Sequence, residues 1–137
     1  MARGQKVQSK GPDWPPEQTL RVLKQQLEKV QVFKGKDHRE VENEETVWKQ
    51  TTEGALIHGF GEHSHNVGHY YHARSAGIWN MGGVSERQVQ LNYNERISKF
   101  EATLLSSIAE IEASLPEAEL RGAYDAGADV QRHRRRL

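Results

Sequence analysis

The chain contains no cysteine, so it offers neither a disulfide framework nor thiolate chemistry, an absence that suits a reducing cytoplasm. No stretch approaches 18 consecutive apolar residues, which excludes a membrane-spanning helix. The opening residues, MARGQKVQSKGPDW, lack the apolar core of a secretory signal. Aromatic residues are few: Trp and Phe number three each in 137 residues, and mean hydropathy is −0.85, so one modest core is expected. Net charge is absent as well, with 19 basic against 19 acidic residues. That balance conceals a division. Arg3, Lys6 and Lys10 at one end and Arg132, Arg134, Arg135 and Arg136 at the other have no neighbouring acid. Residues 11–129 between them hold 12 bases and 19 acids, a net charge of −7.

What is present is helical periodicity. Residues 1–13 are polar and basic, with too little apolar material to offset ordering, and are expected to form a flexible arm. Trp14-Pro15-Pro16-Glu17 marks a helix start, because proline is tolerated in a first turn and an early acid suits the positive helix end. Leu20, Leu23, Leu27, Val30 and Phe33 then recur at 3–4 spacing, and Gly35 stands where a left-handed cap belongs. Asp37 and Glu40 have capping-box spacing ahead of an acidic second helix, whose apolar positions are Val41, Val47, Trp48, Ala55, Leu56 and Phe60. Gly54 inside that helix implies local weakness or a close neighbour. Ser85 and Gln88 repeat the capping-box spacing. Tyr93, Ile97, Phe100, Leu104, Ile108, Ile111 and Leu115 follow at intervals of 4-3-4-4-3-4 before Pro116, which predicts an amphipathic helix about 45 Å long.

Five of the seven histidines fall between His58 and His72. On a short helix over 65–73, His65, His69 and His72 would share one face. With His63, and with Glu62 as an oxygen donor, they form a candidate transition-metal set. The same residues could act as a proton switch, or could simply be solvated. Asn66 after His65 departs from the HExxH metalloprotease pattern, and Gly68 weakens the helix the metal geometry needs. No Walker sequence, spaced glycine cradle or serine elbow is present, and the glutamates near 40–45 and 110–119 alternate with small or polar residues as solvated faces do. No catalytic residue is expected. The terminal arginines could touch nucleic-acid phosphates, but without interleaved aromatics such binding would be weak and salt-sensitive.

Taken in order, the chain has a basic arm, Pro16-Glu17-Gln18, a Leu/Val stripe ending in Phe33, and an acidic helix with Trp48 and Thr52 ending in Phe60-Gly61. A Tyr70-Tyr71 segment, a glycine loop and a long Leu/Ile helix with Glu pairs follow. Over roughly residues 14–120 this order resembles the N-terminal helical region of bacterial phage-defence and abortive-infection proteins. In those proteins it precedes an effector domain, often a TIR-like one. The resemblance implies an accessory module without its effector, and no catalytic residue carries over.

The expectation is thus an all-α chain: a small bundle of three main helices over 14–120, with a long C-terminal amphipathic helix and a Gly/His-rich connecting segment. Residues 77–83, with Ile78, Trp79 and Met81, read as a loop tucked against the helices, and 121–137 as a linker or disordered tail. The expected role is a cytoplasmic, non-catalytic module for interaction, oligomerisation or sensing, with a protein partner or self-association and no membrane. Its interaction stripe is Ile97, Phe100, Leu104, Ile108 and Ile111, which would bury against Leu20, Leu23, Leu27 and Val30 and could also serve self-association. A metal- or pH-responsive protein using the histidines and a nucleic-acid accessory protein using the basic ends are the alternatives.

Overall fold

The computed structural model describes residues 11–76 and 84–115. They form four helices, α1 (Pro16–Phe33), α2 (Glu42–Phe60), α3 (His65–Arg74) and α4 (Glu86–Ser114), with no strand among the described residues. The chain is all-α as expected, and the histidine segment supplies a fourth helix between the three main ones. Each helix packs chiefly on two others: α1 on α2 and α4, and α3 on α2 and α4. Neighbours run in opposite senses. Gln26 meets Thr52 while Thr19 meets Gly59 across α1 and α2, and Lys34 meets Glu101 while Lys24 meets Glu112 across α1 and α4. The result is an up-and-down four-helix arrangement with a short third member.

Local chemistry explains most helix ends. Pro15 is extended and Pro16 opens α1 with Glu17 in its first turn. After Phe33, Lys34 is extended and Gly35 has φ 80°, and Lys36 N donates to Phe33 O at 3.2 Å. That is the pattern of a type II turn, which requires glycine at its third position. Ser64 caps α3 by accepting from Val67 N, and Ser85 caps α4 by accepting from Gln88 N. The Gln88 side chain bonds Asn92 instead of completing the capping box. The expected box at Asp37 does not form. Its carboxylate accepts from Arg39 N at 2.8 Å and from the Arg39 guanidinium at 3.1 and 3.0 Å, making an Asx turn, and α2 begins later, at Glu42.

The core joins all four helices. Leu20, Leu23 and Val30 of α1, Trp48, Ala55 and Leu56 of α2, Val67 and Tyr70 of α3, and Tyr93, Ile97, Phe100, Leu104, Ile108 and Ile111 of α4 belong to one buried cluster, with Leu27 partly buried against it. The stripe expected to serve interaction is therefore this chain's own core, because α1, α2 and α3 together cover it. Aromatic rings link the layers: Trp48 lies 4.7 Å from Phe100, which stacks on Tyr70 at 5.6 Å. Residues 11–14, partly assigned to a flexible arm, are instead docked on the end of α2. Asp13 N and Trp14 N both donate to His58 O, and the Trp14 ring stacks on His58 at 5.1 Å. Residues 1–10, residues 77–83 with the loop expected there, and residues 116–137 lie outside the described residues.

The two helical glycines of α2 differ in their surroundings. A Cβ at Gly54 would meet nothing within 4 Å, whereas one at Gly59 would lie 2.3 Å from Thr19 Cγ2 and 3.0 Å from Thr19 Cβ. Thr19 is buried and branched, so α1 would have to move. Gly54→Ala is expected to raise unfolding free energy by about 1 kcal/mol. Gly59→Ala is expected to lower it by about 1–3 kcal/mol. Urea unfolding followed by helical circular dichroism measures both.

Candidate functional site

The seam between α1 and α2 is built by polar side chains at core positions. Trp48 Nε1 donates to Gln26 O at 2.9 Å, and Gln26 Nε2 donates to Thr52 Oγ1 at 2.9 Å and toward Trp48 O at 3.4 Å. One turn away, Glu45 is buried and receives Arg96 of α4 through two bonds of 2.6 and 3.0 Å. The buried face of α2 is therefore Glu45, Trp48, Thr52, Ala55 and Leu56. Val47, read from its apolar character as a core position, points away and is 61% exposed.

Above this seam lies a groove of about 470 Å³, lined by Gln26, Lys29, Val32 and Phe33 of α1 and by Asn43, Glu44, Val47, Trp48 and Thr51 of α2. Phe33 and Trp48 are buried, and Val32 is 59% exposed. Two solvent-facing valines thus border a recess backed by buried aromatics. Counting apolar residues alone missed this face, because Glu45 and Thr52 occupy core positions that a hydrophobic pattern assigns elsewhere. Stepping by three and four from Trp48 reaches Glu45, Thr52 and Ala55, and that geometric register was the available signal.

The histidines are drawn to different partners. His65 Nε2 lies 3.0 Å from Glu110 Oε1, which also accepts from Asn66 Nδ2, itself bonded to Ser107 Oγ. His65 and His69 rings meet edge to face at 5.6 Å. His69 and His72 border a shallow recess with Lys99 and Thr103 on α4, and His63 precedes the helix in the turn. His58 Nδ1 lies 2.7 Å from Asp13. Among the described residues no group of three or more His, Asp or Glu is placed to share a metal ion. The expected set His63, His65, His69 and His72 is therefore not assembled: His65 and His69 meet, and His65 turns to Glu110, but no third ligand joins them among the described residues.

A second, polar recess lies where the α1–α2 connection meets the start of α4. Gln90 holds that connection in place by accepting from His38 N at 2.8 Å and donating to Lys36 O at 2.9 Å. The Arg39 contacts hold the Asp37 carboxyl down at about 2. No helix among the described residues is long and apolar enough to cross a membrane. The terminal arginines considered for nucleic acid lie outside the described residues. Comparison with family models, with curated proteins and with solved structures finds no match.

The tyrosines that join the helices are electrostatically distinct. Tyr93 donates to Phe33 O at 2.7 Å, and burial, followed by the nearby Glu45 charge, pushes its phenol up to about 12. Tyr70 donates to Lys49 O at 2.8 Å and is raised further, chiefly by burial and then by Glu53. A phenol raised in the folded state contributes stability that is complete below its unfolded value near 10 and is lost as pH rises through the folded value. Stability is therefore expected to fall from about pH 10 to 12, with phenolate absorbance rising as helical dichroism is lost. In Tyr93→Phe the pH slope of stability should be shallower over that interval.

Proposed function

We propose that this chain is a non-catalytic helical interaction module that takes a protein partner in the α1–α2 groove. The observation that supports it is the pair Val32 and Val47, 59% and 61% exposed, bordering one recess backed by Phe33 and Trp48. Isolated exposed apolar residues are ordinary on a protein surface, and Leu91 and Leu105 of α4 are of that kind. A concave apolar face with two exposed side chains at its rim is the arrangement that partner binding rewards, since fully burying a valine is worth about 1.5–3 kcal/mol. Most of the groove's accessible wall is apolar, although Gln26, Lys29, Asn43, Glu44 and Thr51 also line it, which fits side-chain insertion.

The absence of cysteine fits a cytoplasmic setting for such a module. The order of helices over roughly residues 14–120, similar to the N-terminal helical regions of bacterial defence proteins, supports a role as the accessory part of such a system.

A photo-reactive amino acid placed at position 47, and separately at 32, tests the groove in cells. Adducts of discrete mass are expected from both positions and not from Ser98, which is exposed on α4. If neither groove position gives an adduct, the reading is wrong.

A further inference from the structure

We infer that the recess between α3 and α4 binds a phosphate group, held by the His69 and His72 imidazoles, the Lys99 ammonium and the Thr103 and Ser106 hydroxyls. This site is separate from the α1–α2 groove. The two helices are antiparallel, with His65 beside Glu110 and Tyr70 stacked on Phe100. Residues 69, 72 and 73 on one face of α3 therefore stand opposite 99, 102, 103 and 106 of α4, and together they line a recess of about 280 Å³. Every polar side chain on that wall can donate a hydrogen bond, and none is a carboxylate. The acids around it are Glu95, a turn before Lys99, and Glu110, a turn after Ser106, which His65 and Asn66 already engage. Glu101 and Glu112 of α4 turn instead to Lys34 and Lys24 of α1. In a body of net charge −7 over residues 11–129, a wall of bases and hydroxyls without an acid is a distinct environment.

Thr103 separates this recess from an ordinary basic patch. It is 8% exposed, and it alone of the buried polar side chains has no hydrogen bond among the described residues. Thr19, Gln26, Glu45, Thr52, Asn66 and Ser107 are all bonded. A buried hydroxyl without a partner is costly, and a ligand oxygen at this wall satisfies it. Lys99 decides the sign of the ligand. An ammonium in the same recess as two imidazoles repels a metal cation, whereas protonated imidazoles join it in attracting an anion. Phosphate suits the set, since it brings up to two negative charges and three acceptor oxygens to donors arriving from two helices. The free ion and the phosphate of a small monoester share this chemistry.

Nitrogen-15 NMR of the imidazole rings in the full chain tests this at about pH 6, where an ordinary imidazole is mostly protonated. Inorganic phosphate and, separately, glycerol phosphate are titrated at constant ionic strength. Saturable shifts are expected at His69 and His72 with a Kd of about 1 mM, and not at His38 or His58, which Glu86 and Asp13 engage. Lys99→Gln, at an exposed position, should weaken binding by about tenfold with helical dichroism unchanged, and Thr103→Val by at least about as much. Binding of glycerol phosphate assigns the site to phosphorylated small molecules, and binding of inorganic phosphate alone assigns it to the free ion. Shifts that fail to saturate, that appear equally at His38 and His58, or that survive Lys99→Gln or a folded Thr103→Val unweakened overturn the inference.

Discussion

The interlock between Trp48 and Gln26 is the contact on which the remaining arrangement depends. The indole is fully inside, and its N–H has no water to turn to, so it must find a carbonyl from another helix. Gln26 O supplies it at 2.9 Å, and the Gln26 amide in turn reaches the Thr52 hydroxyl, which fixes the rotation of α2 about its own axis. With that rotation set, Glu45 faces α4, where Arg96 neutralises it, and Trp48 presents its ring to Phe100 and Phe33. Removing Arg96 alone would leave the buried Glu45 charge without compensation, an arrangement that costs about 3–5 kcal/mol. The pairing therefore constrains the register of α2 against α4 more than it adds stability.

The other helix contacts follow the same logic, with polar bonds at each seam beside an otherwise apolar core. Tyr93 ties α4 to the end of α1, Tyr70 ties α3 to α2, and Asn66 ties α3 to α4 through Ser107 and Glu110. Each bond satisfies a group that would be expensive to bury alone, and each joins residues far apart in the chain. With few large aromatics available, this chain obtains a unique packing from directional bonds as well as from volume. The groove is the consequence on the outside. Once α2 is turned so that Glu45 and Thr52 face inward, Val47 has to face outward, and it does so beside Val32.

Much of the fold was legible in the residues, because its causes are local. The Pro15-Pro16 start, the glycine after α1, the serine cap of α4 and the apolar stripe of α4 all depend on groups a few positions apart. The failures are equally physical. Asp37 has capping spacing, but its carboxylate is taken by Arg39, so α2 starts at Glu42. The long stripe was expected to bury against Leu20, Leu23, Leu27 and Val30, and it joins them in one core, but the short histidine helix also packs on it and leaves it no free face for a partner. His65, His69 and His72 share a helical stripe, but His65 meets only His69 and Glu110, and no third ligand joins them among the described residues.

The absences with which the sequence begins, no cysteine, few aromatics and no long apolar run, determined that this chain would be held by helix packing around one modest core. Periodicity and capping chemistry then determined where most helices lie, since both act within a turn or two of the chain. What only the tertiary structure decided is which polar residues count as interior. Glu45 is a core residue because Arg96 arrives from 51 positions away, and Thr52 because Gln26 arrives from 26 positions away. Such partners are brought together by the packing of whole helices and leave no mark at any local spacing. The exposure of Val32 and Val47, and with it the groove, follows from those distant satisfactions.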